Sequence, residues 1–148
     1  MLKLPPPVWA LAYLLIAAAI SYVAGAPRVP GLPIVPLGIM LVIAGVALAA
    51  TAAMLFRREG TDLKPTSPTN RKLVTSGPFR FTRNPMYLGL VLFTSGIAIW
   101  IGAWPMFLVP VAIFVTVSLV HIPFEEAKMR RQFGAQYDAY ASKVRRWL

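Results

Sequence analysis

Apolar and polar positions fall in blocks along this chain. Four apolar runs, over 8–24, 34–56, 86–101 and 104–122, are separated by polar or proline-rich stretches. Each approaches the roughly 20 residues that a helix needs to cross hydrocarbon, the third being the shortest. Segments that are apolar on every side predict helices surrounded by lipid or protein rather than half-exposed to water. Beyond Ile122 the pattern turns amphipathic: Glu126, Arg130, Phe133, Tyr137 and Tyr140 recur at helical spacing. That predicts a helix over about 123–140 with these five residues in one stripe, and with Glu125 pointing about 100° away alongside Met129 and Gln132. Between the second and third runs, 57–85 is polar and interrupted by Gly60, Pro65, Pro68, Gly77 and Pro78, which predicts a long loop. Loops of this length in compact proteins are usually functional or disordered, and this one is tethered to two spans. The expectation is an all-α integral membrane helical bundle of about four transmembrane helices, a single domain over 1–148.

Composition sharpens this picture. Hydrophobic residues make up 57% of the chain and charged residues only 14%, well below the about 25% of ordinary soluble domains. The first run, preceded by Lys3 and followed by Ala24-Gly25-Ala26, also imitates a secretory signal with a small-residue cleavage site. It is longer than the usual signal core and Pro27 would directly follow the cut, so a retained span is expected. The chain has no cysteine, which excludes disulfides and thiol-ligated metals. No metal site is expected.

The basic residues fix a topology. Of 15 lysines and arginines, only Lys3 and Arg28 lie outside two clusters: Arg57, Arg58, Lys64, Arg71, Lys72, Arg80 and Arg83 in the loop, and Lys128, Arg130, Arg131, Lys143, Arg145 and Arg146 in the tail. Both clusters belong on the cytoplasmic side, with the third and fourth spans between them bending at Gly102-Ala103-Trp104-Pro105. Both termini are then cytoplasmic and 26–33 is an outer loop. The net charge of +10 is accounted for by this bias and by attraction to anionic headgroups. No nucleic-acid-binding pattern accompanies it, so a nucleic-acid partner is not expected.

Two details predict how the spans pack. Gly45, Ala49 and Ala53 are four apart, a spacing that lets helix backbones approach closely in lipid. Pro110, inside the fourth run, removes a backbone donor and predicts a kink.

The candidate chemistry lies at the span edges. The stretch Leu73-Val74-Thr75-Ser76-Gly77-Pro78-Phe79-Arg80-Phe81-Thr82-Arg83-Asn84-Pro85-Met86-Tyr87-Leu88-Gly89 opens the third run, and Glu125-Glu126 follows the fourth. Asn84 and Pro85 suit the N-cap and first position of a helix. A helix N-terminus also offers free N–H groups and partial positive charge to a carboxylate. Leu73, Val74, Phe79 and Phe81 are equally suited to anchoring a loop in the interface. Glu125 and Glu126 suit a helix first turn, which they stabilise by about 0.3–1 kcal/mol, or an ion pair between Glu126 and Arg130. His121 is the sole histidine; one turn before the acids, it suits a helix terminus or proton transfer. Arg83 suits snorkelling to headgroups or holding a carboxylate or phosphate.

The ordered set of residues resembles the signature of the isoprenylcysteine carboxyl methyltransferase and phospholipid methyltransferase superfamily, Leu-Val-Thr-x-Gly-Pro-Tyr followed by Arg-His-Pro-x-Tyr-x-Gly. The resemblance extends to Gly60-Thr61 and Pro65 upstream, and to Glu125-Glu126, Phe133-Gly134, Tyr137 and Tyr140 downstream. It implies an integral membrane enzyme that uses S-adenosyl-L-methionine, with the cofactor site formed by the cytoplasmic loop and C-terminal helix. It implies cofactor contacts from Arg71, Lys72, Leu73, Val74, Phe79, Asn84, Pro85, Met86, Tyr87 and the acids Glu125 and Glu126; Arg83 and Asn84 within the motif, and His121 by its place one turn before the acids, are the catalytic candidates. The implied acceptor is lipophilic and enters from the bilayer: an isoprenylcysteine-like carboxylate, a phospholipid amine or another small lipophile. The implied location is the cytoplasmic membrane of a bacterium or archaeon.

Three positions depart from the pattern. Phe79 stands where a tyrosine is common, Asn84 replaces a histidine and cannot titrate near neutral pH, and Ile122 stands where prenylcysteine enzymes carry a substrate-side arginine. The phospholipid enzymes look similar at Asn84, with Asn-Pro-Met-Tyr. Because no two glycines are separated by a single residue, the Gly-x-Gly-x-x-Gly fingerprint of soluble nucleotide-binding folds is missing. A membrane reductase binding NADPH on a related helical core, and a non-catalytic lipid-binding membrane protein, are the alternatives.

Overall fold

The computed structural model describes residues 4–59 and 72–148. Within them the chain forms α1 (Pro6–Val23), α2 (Val35–Arg58), α3 (Pro85–Ile101), α4 (Leu108–Thr116), α5 (Ile122–Phe133) and α6 (Ala135–Ala141). A π-helical segment, Val117–His121, joins α4 to α5 without a break, and short 3-10 turns cover Gly77–Arg80 and Trp104–Phe107. The architecture is the all-helical membrane bundle expected from the apolar blocks. Among the described residues, three helical stretches are long and apolar enough to cross a bilayer, Pro6–Val23, Val35–Arg58 and Trp104–Phe133, and Pro85–Ile101 is a shorter apolar helix. Lipid-facing positions such as Leu11, Leu15, Ile43, Val111 and Leu119 are more than half exposed, because in hydrocarbon burying them gains nothing.

Prolines start these helices where their missing N–H has no intrahelical partner, Pro6 and Pro85 at the first helical position. α3 is closed by Gly102, whose φ of +75° is left-handed, and its N–H returns to the Ala98 carbonyl at 2.8 Å. The same turn joins the two loops at this end of the bundle. Val29 N–H donates to the Gly102 carbonyl at 2.8 Å, and Arg28 and Ala103 form an antiparallel bridge. Below it, Ala17, Ala98, Ala103, Met106 and Val109 form a buried cluster.

α2 and α3 run antiparallel with their backbones in contact. A Cβ on Gly45 would lie 2.5 Å from the Gly89 carbonyl oxygen, and one on Gly38 would lie 2.8 Å from that of Gly96. The packing stripe is therefore Gly38, Gly45 and Ala52, all buried and two turns apart, rather than the Gly45, Ala49 and Ala53 read from the sequence. A seven-residue repeat tracks a neighbouring helix at small crossing angle, whereas a four-residue step drifts off it. Ala49 remains against Gly89, while Ala53 faces a cavity.

Two further expectations change. Pro110 does not interrupt a helix, because it falls in the first turn of α4, where its N–H has no intrahelical acceptor to lose. The irregularity lies one turn before Pro123 instead. Pro123 does not begin a separate helix; the helix continues through it, and Leu119, the residue whose carbonyl it cannot satisfy, sits inside the π segment. The expected helix over 123–140 is in turn broken at Gly134, with φ +49° and ψ −126°, into α5 and α6.

Some polar side chains within the bundle find partners there, on their own helix or across to another. Thr94 Oγ1 donates to the Leu90 carbonyl at 3.0 Å, and Tyr13 and Thr116 share a hydrogen bond of 3.0 Å between α1 and α4.

Candidate active site

At the end opposite the Gly102 turn, residues 72–84 lie across the bundle and pack against the C-terminal helices. Val74 and Phe79 are buried against Ala52, with Leu55, Phe56 and Met86 around them. Phe79 stacks on Phe56 with ring centroids 5.1 Å apart and planes 9° from parallel, so one face of its ring is covered by α2. The Tyr140 hydroxyl donates to the Phe79 carbonyl at 2.7 Å and ties this strap to α6. Lys72 pairs with Glu59 at 2.7 Å. Arg71, Gly60, Thr61 and Pro65 lie outside the described residues.

A cavity of about 790 Å³ opens here. Its polar end is bounded by Lys72, Arg83, Asn84, Glu125, Glu126, Lys128, Tyr137 and Tyr140, its wall includes Leu73, Val74, Phe79, Pro85, Met86 and Tyr87, and it continues between helices along Val46, Ala50, Ala53, Leu90 and Phe93. Its volume is in the range of about 300–1,000 Å³ usual for small-molecule sites.

Glu126 is at the centre of the polar end. Its side chain is 8% exposed and lies between two guanidinium groups, Arg83 Nη1 at 3.2 Å and Arg146 Nη2 at 2.8 Å. Arg146 Nε adds a second contact at 3.1 Å, and the hydrogen bond raises the Arg146 pKa above its ordinary value. Arg83 also donates to the Tyr137 hydroxyl at 3.4 Å, and its buried Nε has no hydrogen-bond partner among the described residues. Burial and the nearby Glu126 carboxylate push the Tyr137 hydroxyl up, and burial together with Tyr137 pushes Tyr140 up to about 12. Both phenols are neutral hydrogen-bonding groups at physiological pH.

Sequence reading and structure differ over the pairing of the acids. Arg130 does not pair with Glu126; it meets Asp138 at 3.2 Å and lies 5.8 Å from the centroid of the Tyr137 ring. The turn at Gly134 re-aims the chain so that Tyr137 and Tyr140 face the cavity with Glu126, although they are no longer on its helix. Glu125 is not turned away: it also lines the cavity and accepts a hydrogen bond from the Tyr87 hydroxyl, bridging α5 and α3.

Asn84 sits at the N-cap position of α3, yet its side chain makes no cap. Its Nδ2 donates to the Arg146 carbonyl at 2.8 Å, and the Thr82 hydroxyl accepts from the Asn84 N–H at 3.2 Å. The N–H groups of Met86 and Tyr87, in the first turn of α3, have no intrahelical acceptors and face the cavity end of the helix. His121 is fully buried and is not a cavity-lining residue. Its Nε2 is 3.4 Å from the Leu4 carbonyl, and its ring centroid is 6.3 Å from that of Tyr87. Ile122 is likewise buried, against Tyr87 and Val117.

Comparison with known proteins identifies the family of the chain. The model of the phospholipid methyltransferase family matches residues 34–136. The chain belongs to the phospholipid methyltransferase family. It is 31% identical over 142 residues to protein-S-isoprenylcysteine O-methyltransferase B of Arabidopsis thaliana, covering 92% of this chain and 71% of that protein. It is 32% identical over 116 residues to a probable protein-S-isoprenylcysteine O-methyltransferase of Oryza sativa subsp. indica, and 30% identical over 109 residues to the A protein of Arabidopsis. Each of these two matches takes in 72% of this chain, which spans little more than half of those relatives, 56% and 55%.

In this member of the phospholipid methyltransferase family, Arg146 is the contact that the sequence reading missed. The sequence signal for it is the cluster Arg145-Arg146-Trp147, which charge bias alone counts only as positive charge of the tail. Trp147 packs on Phe114 at 4.7 Å and beside Tyr87, Val117 and Ile122, which brings Arg146 onto the site.

Proposed function

We propose that this chain transfers a methyl group from S-adenosylmethionine to a lipophilic acceptor that reaches the site from the bilayer. The observation that carries the reading is one continuous cavity joining a charged end, around Arg83 and Glu126, to an apolar arm along Val46, Ala50, Ala53, Leu90 and Phe93. A zwitterionic donor and an apolar acceptor need those two environments side by side.

The residues fit such a donor. The unpartnered Arg83 Nε and the first-turn N–H groups of α3 suit its carboxylate, Glu126 with Tyr137 and Tyr140 suits its ammonium or hydroxyl groups, and Leu73, Val74, Met86 and the rim of Phe79 suit its adenine. Pro85, Tyr87 and Glu125 shape the wall between donor and acceptor, and Asn84 orients the first turn of α3. When bound, the donor supplies an electrophilic methyl group on a sulfonium. The protein's part is alignment of the acceptor in line with that methyl and exclusion of water.

The basic clusters around 57–83 and 128–146 support a cytoplasmic orientation for this end. Similarity to protein-S-isoprenylcysteine O-methyltransferases favours an isoprenylcysteine carboxylate, and membership of the phospholipid methyltransferase family favours a phospholipid; the buried Ile122 offers no counter-ion for the former.

Calorimetry in detergent tests the reading. The expected result is that S-adenosylhomocysteine binds, that Glu126→Ala weakens the binding, and that NADPH gives no comparable signal. Tight NADPH binding without S-adenosylhomocysteine binding would overturn it in favour of a reductase. Incubation with methyl-labelled donor and a total lipid extract then identifies the acceptor, and donor binding with no labelled product points to a non-catalytic protein.

A further inference from the structure

Arg146 reaches both halves of the polar end from one position. Its guanidinium meets the Glu126 carboxylate at 3.1 and 2.8 Å. Its main-chain carbonyl accepts from the Thr82 hydroxyl at 3.2 Å and from Asn84 Nδ2 at 2.8 Å. The neighbouring Arg145 carbonyl accepts from the Arg83 N–H at 3.0 Å, so the tail is fastened along the whole entry into α3.

We propose that Arg146 is a positioning residue for the donor end of the cavity, fixing the Glu126 carboxylate beside Arg83 while its backbone fixes the turn that starts α3. The inference rests on the functional reading above. A planar guanidinium that contacts both oxygens of a carboxylate stops its rotation, which one contact from Arg83 does not. A lysine here would keep the charge but lose the fork. The order of the guanidinium comes from outside the site: Trp147, next in sequence, is held on Phe114 and the Tyr87 cluster. Arg146 therefore acts through Glu126 and Asn84 and needs no contact with donor or acceptor.

The test measures S-adenosylhomocysteine binding by calorimetry, steady-state methyl transfer from labelled donor to total lipid extract, and thermal unfolding, all in detergent. Arg146→Ala raises the dissociation constant and the donor KM by about tenfold or more, as expected for loss of a charge-assisted hydrogen bond, with kcat within about threefold. Arg146→Lys gives an intermediate value and carries the test where the alanine variant fails to fold. In the Glu126→Gln background Arg146→Ala costs less than it does in the wild type, because the carboxylate that Arg146 positions is already gone. Lys143→Ala, which removes the same charge from an exposed tail position, leaves donor binding unchanged. Undiminished binding in Arg146→Ala, a loss confined to unfolding temperature, or losses that add with Glu126→Gln would overturn the role of Arg146 alone. Wild-type protein that binds no S-adenosylhomocysteine would overturn the functional reading and this inference with it.

Discussion

Tyr140 and Phe79, 61 residues apart, are joined by a 2.7 Å hydrogen bond from the phenol to the main-chain carbonyl, so α6 and the strap over the cavity hold each other. Tyr140→Phe removes that bond and keeps the ring. The expected cost is about 0.5–1.5 kcal/mol of stability, read from thermal unfolding in detergent, together with weaker S-adenosylhomocysteine binding as the strap loosens. Unchanged unfolding and unchanged binding would show that the bond carries neither.

The same phenol gives a pH signature. Burial and Tyr137 raise Tyr140 from the ordinary 10 to about 12. Below pH 10 the phenol is protonated in folded and unfolded chains, so its contribution is fully present. Between about pH 10 and 12 the unfolded chain loses the proton first, and stability falls as pH rises. Wild type is therefore expected to lose its advantage over Tyr140→Phe across that window, and a pH-independent difference would contradict the assignment.

Gly45 and Gly89 set the distance between α2 and α3. Alanine at Gly45 places a methyl 2.5 Å from the Gly89 carbonyl oxygen and 2.6 Å from the Phe93 nitrogen, both backbone atoms that cannot yield without moving a helix. Gly45→Ala is expected to cost about 1–3 kcal/mol, the range for overpacking. Detergent unfolding checks this, and a neutral result would mean the helices separate freely.

Phe79→Ala removes a ring that is 4% exposed and stacked on Phe56. Its expected cost is about 3–5 kcal/mol, while Phe79→Tyr is expected to stay within about 1.5 kcal/mol if its hydroxyl reaches the cavity. The pair separates the packing role of the ring from any contact with the donor.

The apolar arm is tested by filling it. Ala50→Phe projects a ring into the lining beside Val46 and Ala53. Methyl transfer to a lipid acceptor is expected to fall by about tenfold or more, with S-adenosylhomocysteine binding within about twofold, since the arm adjoins the donor end without forming it. Equal loss of both would mean that donor and acceptor ends are not distinct.

What the sequence determined by itself was what each block of chain can tolerate. Runs such as 34–56 are apolar on all sides and belong in lipid or against other helices, and the ordered motif from Leu73 to Gly89 with Glu125-Glu126 is specific enough to name the family from sequence. Local rules also placed Asn84 and Pro85 at the start of α3. They failed wherever one segment answers to another. The side chain of Asn84 turns to Arg146 rather than to its own helix, Arg130 leaves Glu126 for Asp138, and a helix projected as continuous breaks at Gly134 and still delivers Tyr137 and Tyr140 to the cavity. Helical periodicity reports which residues share a face only while the helix lasts, and charge bias reports a side of the membrane but not a partner. Which arginine meets Glu126 depends on a tail that Trp147 anchors on α4, a contact between positions far apart in the chain that only the folded backbone brings within hydrogen-bonding distance.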